Sequence, residues 1–295
     1  MIEGARRRPR LVSVVVPVRD AAEHLPCQLD ALAGQDHTGP WEVVIADNGS
    51  RDGSLEVARR WMSRLPSPQL VRATAVRGPS HARNAGAAVA RGDFLAFCDA
   101  DDVASPSWVR RMADAARDGD LVAGGVGAGE INDDLTRSWH GVTPRDRALR
   151  GMRFLVHASG TSTGVWAEAF DALGGFDEDV PAGEDIEFSW RAQLAGYRLA
   201  EAPEAVVHER YRRRIRDLAS QHVRYGAAGP LLYRRFRRAG MPPSPPGRAL
   251  LGWASIAGRV PTVVWSGRTR GRWTIEAALR LGQLTGSLRH RVLYL

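Results

Sequence analysis

The strongest constraint on this chain is a rhythm in its first hundred residues, where four short apolar, β-rich runs alternate with stretches of helix formers. The runs are Leu11 to Val16, Trp41 to Ala46, Leu70 to Val76 and Phe94 to Cys98. Strands separated by helical segments predict βαβ units, and therefore a parallel sheet with helices on both faces. Ser54 and Ser80 stand where N-caps would open the helices Ser54 to Met62 and Ser80 to Ala90. Further along, strands are expected over Leu121 to Val126 and Thr163 to Trp166, and a helix over Asp185 to Ala195.

Ligands of an open parallel sheet lie beyond the carboxyl ends of its strands, so the residues after each run are the informative ones. They are Pro17-Val18-Arg19-Asp20, Asp47-Asn48-Gly49-Ser50, Arg77-Gly78 and Asp99-Ala100-Asp101-Asp102. One rim thus collects clustered carboxylates and arginine. Three acids at the end of a strand buried on both faces repel one another unless a cation neutralises them. Oxygen-only ligands suit Mg²⁺ or Mn²⁺. The same residues also fit a solvated turn before a helix near Ser107, or the aspartate nucleophile of a haloacid-dehalogenase-type phosphatase. Two features oppose the phosphatase: three βα units precede these aspartates, and the phosphate-binding lysine usual there has no counterpart, because all 41 basic residues are arginine. A dinucleotide-dependent oxidoreductase is disfavoured because no glycine-rich phosphate turn follows the first strand.

The formal net charge of +8 hides an asymmetry. Residues 209–295 carry 18 arginines against three acids, net +15, which leaves −7 for the first 208 residues. The tail has no nucleic-acid-binding motif and the acidic rim would repel a phosphate backbone, so no nucleic-acid partner is expected. Cys27 and Cys98 suggest neither a disulfide framework nor a zinc site, and a reducing compartment fits. Arg6, Arg7, Arg8 and Arg10 precede only a short apolar run, which predicts neither a signal-peptide core nor a spanning helix. The expected location is cytoplasmic, including the inner face of the cell membrane.

Six separated motifs then occur in order: Val12-Ser-Val-Val-Val-Pro17, Asp47-Asn-Gly-Ser-Arg-Asp-Gly53, Gly78-Pro-Ser-His-Ala-Arg-Asn-Ala-Gly86, Asp99-Ala-Asp-Asp102, Gly174-Gly-Phe-Asp177 and Gly183-Glu-Asp185. From Val12 to Gly226 the chain resembles the family 2 glycosyltransferases of the GT-A fold. That resemblance implies a Rossmann-like α/β/α sandwich with a mostly parallel central sheet, extended here by a helical, basic, amphipathic C-terminal region.

The resemblance also implies roles. Pro17, Asp47, Arg83, Asn84, Asp99 and Asp101 would bind a nucleotide-sugar, with Asp47 accepting from the nucleobase and Arg83 reaching a phosphate. Asp101 would be the principal metal ligand, supported by Asp102 and His208, for Mn²⁺ or Mg²⁺. Asp185 would be the general base and Glu184 its neighbour on the acceptor side. For this pair the residues alone permit a plainer reading, since acids in a first turn favour the helix dipole. The implied reaction is inverting transfer from a nucleotide-diphosphate sugar, UDP-sugars first, to a hydroxyl on a lipid-linked or cell-envelope glycan. Gln221-His-Val-Arg-Tyr225 resembles the Q-x-x-R-W of processive synthases but ends in Tyr, and such enzymes carry several spanning helices that are not expected here.

Three regions are expected: a basic segment over residues 1–10, the catalytic domain over 11–226, and an extension over 227–295 entered through the Pro-rich stretch Met241 to Gly247. Arg210 to Arg214 and Arg234 to Arg238 read as solvated charge clusters. Ala249 to Gly258 is apolar but too short to span a bilayer. Ala277, Leu281, Leu284, Leu288, Val292 and Leu295 recur at helical spacing beside Arg280, Arg289 and Arg291, forming one amphipathic stripe. Such a stripe either packs on the domain or lies on an anionic membrane surface.

Overall fold

A computed structural model describes residues 8–129, 131–140, 150–151, 154–245, 247–260 and 266–295. Arg6, Arg7, Pro246 and Pro261 lie outside the described residues. The strands are β1 (Val12–Val18), β2 (Trp41–Asp47), β3 (Gln69–Arg72), β4 (Phe94–Phe97), β5 (Val103–Ala104), β6 (Leu121–Gly127), β7 (Arg150–Gly151), β8 (Val156–His157), β9 (Thr163–Trp166) and β10 (Leu199–His208). The helices are α1 (Leu25–Ala33), α2 (Ser54–Trp61), α3 (Pro79–Val89), α4 (Trp108–Ala115), α5 (Asp134–His140), α6 (Ala167–Ala172), α7 (Glu184–Leu194), α8 (Ile215–Phe236), α9 (Arg248–Gly258) and α10 (Gly267–His290).

The main sheet has the order β3-β2-β1-β4-β9-β6-β10-β5. Its first four strands are parallel, as the alternating runs predict. β9 then enters antiparallel between β4 and β6, and short β5 closes the far edge antiparallel to β10. Val14, Val15, Val16, Val43, Val44, Ile45 and Phe94 to Cys98 are all buried, which accounts for their near-continuous apolar character. Burying this β-branched surface is the main driving force for the sheet. The third strand is shorter than its run suggested: Ala73 still donates to the Asp47 carbonyl of β2, but its own carbonyl is taken by the Asn48 side chain.

The two expected serine caps are corrected. The N-cap positions of α2 and α3 are Gly53 and Gly78, and Ser54 and Ser80 lie inside the first turns, buried. Ser54 instead accepts from the Ala21 backbone N–H at 2.8 Å and donates to Asp52. It therefore fastens the loop after β1 to α2.

α8 runs unbroken through residue 226 and packs along α10. The seam is made of small residues. A Cβ on Gly226 would run into the Leu279 carbonyl, and one on Gly282 into the Val223 carbonyl, so the two backbones approach as only glycine allows. Trp190, Leu232, Phe236, Met241 and Tyr294 form a second apolar cluster that ties α7, α8, the Pro-rich stretch and the chain end together. α10 starts well before Ala277 and stops at His290, so Val292 and Leu295 lie beyond the helix rather than on its stripe. Leu281, Leu284 and Leu288 are exposed, because the face turned to α8 carries Ala278, Gly282 and Gly286 instead.

Gly226→Val is expected to pry α10 from α8 and lower stability by about 1–3 kcal/mol, the usual cost of overpacking. A fall in the thermal midpoint by calorimetry checks this.

Candidate active site

The carboxyl ends of β1, β2 and β4 bring the predicted polar residues to one rim. At the end of β2, Asp47 is buried and accepts from the backbone N–H groups of Gly49 at 3.3 Å and Ser50 at 3.1 Å. That is the Asp-Asn-Gly turn the sequence suggested. Its Oδ2 also pairs with Arg72 Nε at 3.1 Å. Asn48 closes the neighbouring loop by accepting from the Gly78 N–H at 2.9 Å and donating to Val76. Pro17 sits half-buried in β1 opposite Ala46.

Arg83 is the centre of the site. It is 3 % exposed, and its Nη2 donates to Asp99 Oδ1 while its Nη1 donates to Glu184 Oε1, both at 2.7 Å. Sequence reasoning had this guanidinium free to reach a phosphate. In the structure it lies under the rim with two arms committed, joining the end of β4 to the start of α7. Burial pulls its proton affinity down, but the charges of Asp99 and Glu184 outweigh that and raise it. Glu184 moves upward as well, through burial and the neighbouring Asp185, with Arg83 opposing.

Asn84, one residue on, faces away from the rim. Its amide donates to the Phe176 carbonyl at 2.8 Å and its oxygen accepts from the Phe176 N–H at 2.9 Å. It therefore pins the Gly174-Gly-Phe-Asp177 motif to α3. Asp177 in turn pairs with Arg235 of α8. These motifs are legible in the sequence, but the bonds that join them are not.

Glu184 and Asp185 open α7 behind Gly183, whose φ of +78° favours glycine. Asp185 Oδ2 accepts from the Gly160 N–H at 2.8 Å. Gly160 lies against both Arg83 and Asp185, and Thr161 donates to Asp99 at 3.4 Å. The loop before β9 thus lines the gap between the two acidic walls, a role nothing in its sequence marks.

Asp101 and Asp102 are held from the other side by residues that read as a solvated arginine cluster. The Arg210 backbone N–H donates to Asp102 Oδ1 and its Nε to the Asp101 carbonyl, each at 2.8 Å. Arg212 Nη1 pairs with Asp101 Oδ2 at 3.0 Å. Their position directly after His208, at the end of β10, was the available signal. Burial first, then the charges of Asp101, Asp99 and Glu209, push Asp102 well above the usual carboxylate range.

The chemistry of this donor set fits a hard divalent cation: Asp99, Asp101 and Asp102 offer only carboxylate oxygens. The expected set of Asp101, Asp102 and His208 is nevertheless not gathered, since no three His, Cys, Asp or Glu side chains among the described residues converge on one point. His208 pairs with Gly127 of β6 and Val103 of β5, and its ring fills the space left by Gly127 and Gly129.

The carboxyl ends of the parallel strands thus carry an acidic rim, faced by a helix that begins with two acids. The chain belongs to glycosyl transferase family 2: residues 13–174 match that family, and residues 94–280 match glycosyl transferase family group 2. It is 27% identical over 198 residues to glycosyltransferase AglE of Haloferax volcanii, covering 66% of this chain and 65% of that protein. It is 27% identical over 256 residues to the pre-mycofactocin glycosyltransferase of Mycobacterium tuberculosis, covering 83% of this chain and 52% of that one. The chain thus spans about half to two thirds of the length of these relatives.

Among solved structures, the mannosyltransferase PcManGT from Pyrobaculum calidifontis, in complex with GDP-Man and Mn²⁺, superposes with a TM-score of 0.66 at 22% identity, covering 96% of this chain and 88% of that one. S. aureus TarS 1–349 with UDP-GlcNAc gives 0.56 at 17% identity, covering 96% and 93%. Both likenesses establish the GT-A fold.

Arg83→Met is expected to leave Glu184 buried and unpaired beside Asp185. Stability should fall by about 3 kcal/mol, the low end for a broken buried ion pair because Asp99 keeps some solvent. Denaturant titration of the two proteins measures it.

Proposed function

We propose that this chain transfers a sugar, with inversion, from a nucleotide-diphosphate sugar to a hydroxyl of a lipid-linked or cell-envelope glycan. The observation that supports this reading is the Arg83 fork, whose two arms tie Asp99 to Glu184 and so hold Asp185 against the acidic rim. Asp47, buried at the end of β2, is the carboxylate for the nucleobase, with Pro17 beside it in β1. UDP-sugars are the first donors to test, with GDP-sugars beside them, because both nucleotides occur in the similar structures.

Asp185 takes the proton of the acceptor hydroxyl as its oxygen attacks the anomeric carbon. The bond from that carbon to the diphosphate breaks on the opposite side, and the nucleoside diphosphate leaves. The Gly160 N–H holds one Asp185 oxygen, orienting the carboxylate. Arg83 acts indirectly, by fixing Asp99 and Glu184. Asp101 and Asp102 are the residues that would hold Mn²⁺ or Mg²⁺. When bound, such an ion offsets the charge gathering on the departing diphosphate.

The C-terminal helices suit the acceptor. Among the described residues no helix is long and apolar enough to cross a membrane. Leu250, Leu251 and Leu288 are nonetheless 78%, 75% and 72% exposed, within a region of net charge +15. Exposed leucines beside arginines favour an anionic bilayer surface, here the inner membrane face, where a lipid-linked acceptor is presented.

Two measurements test this reading. A panel of nucleotide-sugars with Mn²⁺ or Mg²⁺ is expected to yield nucleoside diphosphate that chelator suppresses, and Asp185→Asn should lower turnover by roughly 10²- to 10⁴-fold; near wild-type turnover would refute the base assignment. Sedimentation with vesicles should show binding to anionic but not neutral lipid at low salt, weakened by Leu250→Ser with Leu251→Ser.

A further inference from the structure

The chain leaving β10 lies across the acidic rim as a strap. β10 pairs antiparallel with β5 through His208 and Val103, so the residues beyond His208 run back along Asp102 and Asp101. Their backbone is fixed from the other side: the Glu209 N–H donates to the Gly127 carbonyl at 2.8 Å, and Asn132 bonds the Glu209 carbonyl and the Tyr211 N–H. Side chains alternate along the strap. Glu209 and Tyr211 line a cavity of about 340 Å³ beside the rim, walled also by α5, α8 and α10, while Arg210 and Arg212 turn to the acids.

The two arginines do different things there. Arg210 bonds the frame of the acidic loop, its N–H donating to Asp102 Oδ1 and its Nε to the Asp101 backbone carbonyl. Neither bond uses the Asp101 carboxylate. Arg212 does use it, with Nη1 3.0 Å from Oδ2, and the two side chains are 42% and 24% exposed. An ion pair this open to solvent is weak and parts at little cost. The buried Arg83 pairs are of the other kind, since parting them strands a charge out of water.

Asp101 therefore already has a cation beside it, one carried by the protein itself. The same carboxylate is assigned above to Mn²⁺ or Mg²⁺, and a guanidinium and a divalent ion on one carboxylate repel each other. Arginine does not lose its proton in proteins, so Arg212 makes room only by moving. Its charge is then left without a partner unless another anion is at hand. A diphosphate is such an anion, and its oxygens suit the guanidinium fork.

We propose that Arg212 is a counter-ion built into the site: it covers Asp101 in the free protein, weakens the binding of a divalent cation by itself, and gives way when a nucleoside diphosphate offers it phosphate oxygens. Cation and nucleotide then strengthen each other's binding by the same factor. The inference rests on the assignment of Asp101 to the cation, and not on the sugar or the acceptor.

Mn²⁺ binding without nucleotide, followed by the electron paramagnetic resonance signal of the free ion, tests this apart from turnover. Wild type is compared with Arg212→Gln, Arg212→Lys, Arg213→Gln, Asp101→Asn and Arg212→Gln combined with Asp101→Asn, each checked for folding by its melting temperature. Arg213 pairs instead with Asp133 at 3.8 Å, so its loss removes the same charge from the same segment without uncovering Asp101. Arg212→Gln should bind Mn²⁺ about tenfold tighter than wild type or more, with Arg212→Lys close to wild type and Arg213→Gln within about twofold of it. Adding Asp101→Asn should abolish the gain. UDP or GDP should tighten Mn²⁺ on wild type, after allowance for Mn²⁺ held by free nucleotide, and should do so less on Arg212→Gln. If Asp101→Asn weakens Mn²⁺ but Arg212→Gln gains nothing, or Arg213→Gln gains as much, the counter-ion falls and the cation assignment stands. A gain that survives Asp101→Asn would overturn both. If the expected pattern holds and no nucleotide-sugar is consumed, the transfer reading falls and the counter-ion stands.

Discussion

One buried guanidinium holds the two halves of this site together. Arg83 comes from α3, packed on the parallel strands, and its arms reach Asp99 at the end of β4 and Glu184 at the start of α7. Two carboxylates this close to Asp185 would repel one another in a dry environment, and the planar fork of arginine is suited to bonding both at once. The antiparallel entry of β9 serves the same junction, because the loop before it supplies Gly160 and Thr161 to Asp185 and Asp99. Without that cation the acids would have to separate or take up protons.

A second balance governs Asp101 and Asp102. Asp102 is buried among like charges and held by one backbone N–H, while Asp101 is answered by Arg212. Such a cluster is costly unless positive charge comes to it, and the segment after β10 brings Arg210 and Arg212 to it. The same segment carries Glu209 and Tyr211 into the neighbouring cavity. A short stretch of chain therefore faces the acidic rim with Arg210 and Arg212 and the cavity with Glu209 and Tyr211.

The C-terminal extension follows from packing. α8 and α10 meet through glycine and alanine, so their backbones come close and the larger leucines are left on the outside. Close approach of this kind maximises dispersion contact along the seam. The amphipathic stripe is real over Leu281, Leu284 and Leu288, yet it is not what docks the helix. Hydrophobic periodicity identified an apolar face, and the choice between burying that face and burying the glycine face was made by shape.

The sequence by itself determined the parallel half of the sheet, the acidic rim at its carboxyl ends and the family, because period, strand-end polarity and ordered motifs are local properties. It also showed the Asp47 turn and the acids that open α7. It did not determine what Arg83, Asn84, Arg210 and Arg212 do, because a side chain's role depends on which partner the fold brings to it. Arg83 read as a phosphate ligand, and the fold buries it between Asp99 and Glu184; Arg210 and Arg212 read as a solvated cluster, and the fold brings them to Asp102 and Asp101. His208 was named as a ligand and its ring went to the space beside two glycines. The cavity beside the rim was invisible for the same reason, since its walls come from α5, the segment after β10, α8 and α10, and only tertiary contact makes them one surface.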